Sequence, residues 1–295
     1  MATNDLSYKF RTANIVVKLI VINVVVWIGL MLFEWALNMG PLFTHWLSLP
    51  TDLSRLIIQP WSLITYSFLH AGFMHIFWNM LILYWFGQIV LNLFTERRFL
   101  TVYLLGALAG GVLYVLAYNL FPVLITTTAY LVGASAAVRA IMIFIATYTP
   151  QAEVRLIFFN VKLWQIGVFV VLMDLIQLPT SGNAGGLLAH LGGALFGYIY
   201  AVQLGKGNDI GAWWERLSDT VVGWFKSKPK QVKKAKMKTV YKNETRAASG
   251  TTSSRMTKSE QQKRVDGILD KISKSGYESL SKEDKDFLFQ AGKDN

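Results

Sequence analysis

Six segments of this chain are long, apolar and almost free of charged residues. They are, in chain order, 15–33, 75–93, 99–121, 133–148, 163–178 and 185–204. Several approach the roughly 20 residues that a helix needs to cross about 30 Å of hydrocarbon. Hydrophobic residues make up 53% of the chain, and their concentration in runs is typical of membrane spans rather than of a soluble core. We therefore predict an all-α fold, a polytopic membrane protein with six transmembrane helices.

The first apolar segment is predicted to remain in the mature chain. It carries Lys18 and Asn23, has no small-residue cleavage site and is followed by further spans, which is typical of a retained helix rather than a removed signal peptide. The chain contains no cysteine. Disulfides, a thiolate nucleophile and cysteine metal ligands are therefore excluded.

Basic residues are concentrated on one side of the predicted spans. Loops that stay in the cytoplasm are enriched in Lys and Arg. One side of this chain holds most of the basic residues of the spanning region: Lys9, Arg11, Lys18, Arg97, Arg98, Arg155 and Lys162. On the other side the first connection carries Asp52 and Arg55, whereas 122–132 and 179–186 carry no charge. The pattern predicts that both termini lie in the cytoplasm.

The composition changes after the sixth span, and twenty of the 29 Lys and Arg residues follow residue 205. Anionic lipid of the cytoplasmic leaflet is the expected partner of this basic tail, and no nucleic-acid binding is expected. We predict four parts: a membrane domain (1–205), an interfacial amphipathic helix (206–227), a basic flexible linker (228–260) and a small helical hairpin (261–295).

The two helical parts of the tail have different patterns. Aromatic residues lie among charged ones in the first: Trp213, Trp214, Trp224 and Phe225. This pattern favours a helix in the membrane interface, and a soluble helix packed on the next domain is the alternative. Apolar residues repeat at helical spacing in the hairpin: Val265, Ile268, Leu269 and Ile272. The hairpin is expected to bind a partner that the pattern does not identify.

The connection between the first two spans, 35–69, is too long and too apolar for a simple linker. It contains Trp46, Pro50, Pro60 and Trp61, and its aromatic residues suggest a structure partly in the outer leaflet. A packed cap over the bundle and a substrate-facing element are equally compatible with this composition.

Two segments of small residues carry polar groups, which are costly inside hydrocarbon unless they have a partner or a task. On a helix, His190, Gly193 and Gly197 fall on one face, and glycines allow close approach of another helix. The expected partner is the segment that begins with Gly133 and contains Ser135. Such a crossing would bring the imidazole to the hydroxyl, although Ser135 alone is compatible with a small residue at a helix crossing.

The pair suggests a serine nucleophile, Ser135, with His190 as its general base. No convincing third residue is found to orient the imidazole, so the sequence predicts a catalytic dyad. His75 and Asn79 are four residues apart and hence on one helix face. Both can donate hydrogen bonds that stabilise a tetrahedral oxyanion. An interhelical hydrogen-bond pair is the alternative interpretation of these two residues.

These residues together resemble the rhomboid family of intramembrane serine proteases over residues 60–205. The stretch 70–79, HAGFMHIFWN, is similar to the family's two-histidine stretch and its His-x-x-x-Asn. The stretch 133–135, GAS, matches its Gly-x-Ser, and 189–197, AHLGGALFG, matches its Ala-His-x-x-Gly-x-x-x-Gly. The stretch 96–98, ERR, is similar to an acidic-x-basic element that would tie the cytoplasmic helix ends together.

The resemblance implies a rhomboid-like bundle with a small cytoplasmic helical tail, in the bacterial inner membrane. Its implied substrates are transmembrane segments of other membrane proteins, cut near the outer face. A helix hides its carbonyls in internal hydrogen bonds, so a substrate must partly unwind before Ser135 can attack. Segments rich in Gly or other weak helix formers should be preferred. No metal and no cofactor are implied.

Two residues depart from the family pattern. Ala136 stands where Gly often follows the serine, and its methyl group could crowd the oxyanion site. Arg139 lies one turn deeper than Ser135, where an aromatic or apolar side chain is usual, and its charge would oppose the imidazolium that forms at His190. We expect Arg139 to pair with Asp174 of the fifth span, which would balance that charge.

Other interpretations stay open. Arg139 could reach a water-filled cavity, or it could mark a weak enzyme or a rhomboid-like protein that binds transmembrane clients without cutting them. Intact Ser135 and His190 argue against the protein that binds clients without cutting them. A transporter or channel is a further class, but the sequence has neither a repeated half nor a string of buried acids suited to ion passage.

Overall fold

The structure is a computed structural model that describes residues 3–125, 129–156, 159–225 and 258–291. Most of these residues are helical. The helices of the first part are α1 (Thr3–Thr12), α2 (Ile15–Ala36), α3 (Leu42–Leu47), α4 (Leu53–Ile58), α5 (Ser62–Thr65), α6 (Phe73–Leu91), α7 (Glu96–Leu120), α8 (Pro122–Ile125), α9 (Ser135–Tyr148), α10 (Leu163–Gln177), α11 (Ala184–Gly205) and α12 (Ala212–Phe225). Further on are α13 (Lys258–Ser275) and α14 (Lys282–Ala291), and 3-10 turns cover Tyr66–Phe68 and Tyr277–Ser279.

All six apolar segments form helices. Four are long and apolar enough to cross a membrane by length and composition: α2, α6, α7 and α11. The other two, α9 and α10, have 14 and 15 residues. This confirms the predicted fold class, a polytopic bundle of helices.

The short helix α9 lies in the middle of the bundle. It packs against α6, α7, α10 and α11, and its residues from Ala136 to Ala146 are buried except Arg139. At 1.5 Å per residue, a 14-residue helix is about 21 Å long, which is less than the hydrocarbon thickness of about 30 Å. A helix that short can begin below the membrane surface because other helices, rather than lipid, surround it.

The long first connection folds into α3, α4, α5 and a short strand, β1 (Leu49–Pro50). The Trp61 indole N–H donates to the Trp46 carbonyl at 3.1 Å, and the two rings lie 5.2 Å apart. Strand β1 pairs antiparallel with β2 (Tyr130–Leu131), which places Leu49 opposite Leu131. The connection is thus a packed element attached to the chain just before Ser135.

A second antiparallel ribbon consists of β3 (Glu153–Leu156) and β4 (Phe159–Lys162), between α9 and α10. Both ribbons are short hydrogen-bonded additions to a helical protein. Neither was predicted from the sequence, because strands of two and four residues are too short to leave a clear periodic pattern.

Charged residues connect the helices at the end of the bundle that holds the 96–98 motif. The Glu96 carboxylate accepts from the Ile15 backbone N–H at the start of α2, at 3.1 Å. Arg98 pairs with Asp209, whose other oxygen accepts from the Tyr200 hydroxyl at 2.8 Å. These bonds join α2, α7, α11 and the segment that leads to α12, which is the role expected for the acidic-x-basic element.

Helix α12 covers most of the segment 206–227, and Arg97 of α7 binds its Asp219 at 2.9 Å. The 226–257 stretch, which holds nearly all of the predicted linker, lies outside the described residues.

The C-terminal unit contains α13 and α14 in the part where a helical hairpin was predicted. Ile268 and Leu280 are its buried apolar residues among those described. The Arg264 guanidinium lies 4.6 Å from the centre of the Phe287 ring, and Lys271 lies 3.4 Å from Asp284.

Candidate active site

One cavity of about 650 Å³ opens between the helices and brings the predicted site residues together. Its lining includes Ser135 and Arg139 from α9, His75 and Asn79 from α6, and His190 from α11. These residues are up to 115 positions apart in the sequence, from His75 to His190. Polar groups of different helices therefore share one concave space inside a membrane bundle, where each needs a partner or a task.

Ser135 is the first residue of α9, and no side chain caps this helix start. The segment before it is held by backbone bonds, since the Gly133 N–H donates to the Tyr66 carbonyl at 2.9 Å and Leu131 belongs to the β1–β2 ribbon. The first N–H groups of a helix have no partner within the helix. A hydroxyl at this position lies beside donors that an oxyanion could use.

Gly133 is required by its backbone and by the space around it. Its φ is 130°, a region that side chains rarely adopt. A Cβ at this position would lie 2.8 Å from both Cε1 and Nε2 of His75, and 3.5 Å from Ser135 Oγ. The sequence placed Gly133 at a helix crossing, but the structure instead places it between a histidine ring and the serine.

The His75 ring is oriented so that Nε2 carries the proton. The Ala71 backbone N–H donates to His75 Nδ1 at 3.3 Å, so Nδ1 acts as the acceptor in the neutral ring and Nε2 is the donor. Nε2 and its ring neighbour Cε1 are equally close to Gly133, on the side of the ring that faces the residues before α9. The donor nitrogen of His75 therefore lies beside Gly133, two residues before Ser135.

Asn79 lies one turn further along α6 and is 7% exposed. Its Nδ2 donates to the His75 carbonyl at 2.8 Å. An amide group has two N–H donors, so this bond uses one of them and leaves a second for a group in the cavity.

His70 is a further histidine beside this site. It is buried, and neither of its ring nitrogens has a hydrogen-bond partner among the described residues. Its ring packs edge-on against His75, with 5.2 Å between the centroids. The contact restricts how the His75 ring can turn, and the two-histidine spacing in 70–75 was the sequence signal for it.

The crossing of α9 and α11 is as close as the sequence suggested. A Cβ on Gly193 would lie 2.8 Å from the Ala136 carbonyl carbon and even closer to its oxygen, and a Cβ on Gly197 would lie 3.0 Å from the Ala140 carbonyl carbon. Helix α7 approaches α11 similarly, since a Cβ on Gly192 would lie 2.8 Å from the Ala109 carbonyl oxygen. Glycines at these positions allow the backbones to touch.

Ala136 faces away from the cavity. It is 1% exposed and belongs to a buried cluster with Leu49, Tyr66 and Tyr114. Its methyl group is directed towards Gly110 of α7, where a Cβ would lie 2.5 Å from it. The expected crowding of the oxyanion site by this methyl group is therefore wrong, because the helix direction turns it towards α7.

Arg139 and Asp174 form the ion pair that the sequence suggested. Arg139 Nε donates to Asp174 Oδ2 at 2.8 Å and Nη2 donates to Oδ1 at 3.0 Å. Asp174 is 2% exposed. Such a two-bond pairing of guanidinium and carboxylate is the strongest form of this interaction and balances both charges inside the bundle.

Asp174 also contacts the histidine. Its Oδ1 lies 3.2 Å from His190 Nδ1. No third residue beside the imidazole was predicted from the sequence, and the structure places the carboxylate of α10 there. Asp174 had been assigned only to Arg139, because linear spacing does not show which face of α10 meets α11.

Comparison with known proteins extends these observations. The Rhomboid domain family matches residues 58–207 of this chain. A family of unknown function (DUF6576) matches residues 254–291, which contain α13 and α14.

Similar proteins carry rhomboid names. The chain is 35% identical over 158 residues to RHOMBOID-like protein 12, mitochondrial, of Arabidopsis thaliana, covering 50% of this chain and 47% of that protein. It is 30% identical over 155 residues to the human presenilin-associated rhomboid-like protein, mitochondrial, covering 50% and 38%. It is 29% identical over 171 residues to Rhomboid-like protease 1 of Toxoplasma gondii, covering 56% and 54%.

The chain thus spans about half or less of the length of these relatives. The Rhomboid domain match covers half of this chain and contains every residue that lines the cavity. On this evidence, the chain belongs to the rhomboid family.

Proposed function

We propose that this protein is an intramembrane serine endopeptidase that cleaves transmembrane segments of other membrane proteins. The observation that carries the proposal is the convergence of a serine at a helix start, a histidine and two hydrogen-bond donors on one cavity. The rhomboid family generally comprises intramembrane proteases, and this chain retains a serine and a histidine at the positions that the motifs assign to nucleophile and base.

In the proposed reaction, Ser135 Oγ attacks the carbonyl carbon of the scissile peptide bond, and His190 Nε2 takes the Oγ proton. The resulting oxyanion accepts hydrogen bonds from His75 Nε2, the second Asn79 N–H and a backbone N–H of the first turn of α9. The oxyanion then re-forms the carbonyl, the scissile C–N bond breaks, and His190 gives its proton to the leaving amine, which leaves an acyl-enzyme on Ser135. A water molecule hydrolyses the acyl-enzyme by the same steps.

The substrate must supply an extended peptide to this cavity. A transmembrane helix satisfies its carbonyls internally and loses those hydrogen bonds on unwinding. A span with weak helix formers unwinds at a lower cost, since Gly is about 1 kcal/mol less favourable than Ala in a helix. Membrane lipid is the other expected partner of the bundle. In the tail, we assign lipid contact to α12, which carries aromatic residues among charged ones.

The proposal predicts selective cleavage of single-span reporters by the purified full-length chain in detergent. We expect a reporter with two glycines in its outer half to be cut several-fold faster than a matched reporter whose span is uniformly leucine. Gel mobility and mass spectrometry of the fragments measure the rate and the cut position. If the folded chain binds both reporters and cuts neither, the client-binding alternative replaces the protease.

We further propose that the protein lies in a bacterial inner membrane with both termini in the cytoplasm. The distribution of Lys and Arg supports this orientation. Two of the relatives named above are described as mitochondrial. The shared fold therefore does not identify the membrane in which this chain resides.

The orientation can be tested directly because the chain contains no cysteine. Single cysteines at two exposed positions, Ser181→Cys before α11 and Gln151→Cys before β3, serve as matched probes. In intact spheroplasts, a membrane-impermeant maleimide is expected to label the first variant, and to label the second only after permeabilisation. The opposite labelling pattern would place the termini outside the cytoplasm.

A further inference from the structure

Asp174 contacts two side chains from two other helices. Its carboxylate on α10 accepts two hydrogen bonds from Arg139 of α9, and its Oδ1 also lies 3.2 Å from Nδ1 of His190 on α11. The side chains of Asp174, Arg139 and His190 are 3%, 18% and 16% exposed. The group most deeply buried is thus the carboxylate between the other two.

The contact constrains the histidine. An ionised carboxylate only accepts hydrogen bonds, so the short contact requires His190 Nδ1 to donate. In the neutral ring, Nε2 is then without a proton and can accept one. This is the ring form that a general base for a serine must have.

Arg139 constrains the carboxylate in turn. Two parallel hydrogen bonds fix the plane of the Asp174 carboxylate, which a single contact would leave free to rotate. A third nitrogen, Nη1, lies 3.7 Å from the Met142 sulfur one turn along α9. Arg139 stands one turn after Ser135 on the same helix, so the pair ties α10 to the helix that carries the serine.

From this geometry we infer that Asp174 is a positioning residue that holds His190 in its base form, and that Arg139 supports it by fixing the carboxylate. The inference rests on the proposed peptidase function. In this inference Arg139 supports catalysis, which is the opposite of the weakening that its charge would cause if it acted directly on His190. Removing Arg139 should slow the reaction in this scheme, and should speed it if its charge opposes the imidazolium.

The test compares the parent with Arg139→Met and with Arg139→Met/Asp174→Leu. The double variant replaces the ion pair with apolar side chains of similar size, a change that often leaves stability unaltered or improves it. Leu172→Ala, at a half-exposed position of α10, is the control. For each variant, kcat and KM are measured with the glycine-containing reporter, together with the rate at which a fluorophosphonate labels Ser135 and the unfolding midpoint in SDS.

We expect Arg139→Met to lower kcat severalfold, up to about tenfold, since the carboxylate stays near the imidazole but loses the two hydrogen bonds that fix its plane. The double variant is expected to lose about 100-fold in kcat and in labelling rate, within the range of a general base's contribution. The KM and the unfolding midpoint of the double variant should change little, because it leaves no unpaired charge in the bundle. A double variant with the parent kcat would overturn the inference, because Asp174 would then serve only to balance Arg139. Faster cleavage by Arg139→Met would overturn it too.

A second measurement does not depend on activity. The ¹⁵N NMR spectrum of histidine-labelled protein distinguishes the two ring forms, and the chain has four histidines, of which His190→Gln identifies the relevant signal. The parent should show a protonated Nδ1 and a bare Nε2 at His190, and the double variant should lose this preference. The same proportion of the two ring forms in the parent and in the double variant would overturn the inference. A parent that neither cleaves nor reacts with fluorophosphonate would instead overturn the proposed function.

Discussion

Ser135→Ala and His190→Ala are each expected to abolish cleavage of the glycine-containing reporter. The first removes the oxygen that attacks the peptide bond, and the second removes the base that accepts its proton. Loss of the nucleophile or its base in a serine protease costs about 2 × 10⁶-fold in kcat. Because the two residues act as one unit, the double variant should be no worse than either single variant. Fragment formation over several hours, with the detection limit stated, measures the loss.

A buried serine elsewhere provides the matched control. Ser67 is fully buried, and among the residues that the structure describes its hydroxyl donates only within its own turn, to the Ile64 carbonyl at 2.7 Å. It does not line the cavity, so Ser67→Ala should cleave at the parent rate. All variants should keep the parent unfolding midpoint in SDS. Residual cleavage above one percent by purified Ser135→Ala would show that another group is the nucleophile.

Gly193→Ala is expected to destabilise the membrane domain by about 3 kcal/mol, the upper part of the usual range for an overpacked core. The new methyl group would overlap the Ala136 carbonyl, which is backbone and cannot rotate away. Helices α9 and α11 would have to separate, and Ser135 and His190 would move apart with them. We therefore expect loss of cleavage along with the loss of stability, measured by SDS titration.

Gly29→Ala is the control for this substitution. Gly29 lies within α2, and a Cβ there would meet no atom within 4 Å. The same change at this position should leave the stability unchanged or raise it by up to about 1 kcal/mol, since Ala favours helices. If Gly193→Ala were as stable as Gly29→Ala, the close crossing of α9 and α11 would not exist.

The sequence alone determined the class of fold and pointed to most residues of the candidate site. A bilayer accepts only segments that satisfy their backbone internally, so long apolar runs had to be helices. Polar residues within such runs are rare and costly, which made Ser135, His190, His75 and Asn79 conspicuous. The paired glycines of α11 predicted its closest neighbour, because backbone contact between helices needs small residues.

Tertiary structure decided how these residues relate to one another. The rotation of α10 about its axis places Asp174 against both Arg139 and His190, and no local pattern encodes that rotation. Gly133 was expected at a helix crossing and instead lies beside His75, because the β1–β2 ribbon and Tyr66 hold the segment before α9 in place. Apolar runs and small residues are local signals, whereas the carboxylate that reaches the imidazole depends on packing among three helices, which only the folded chain brings together.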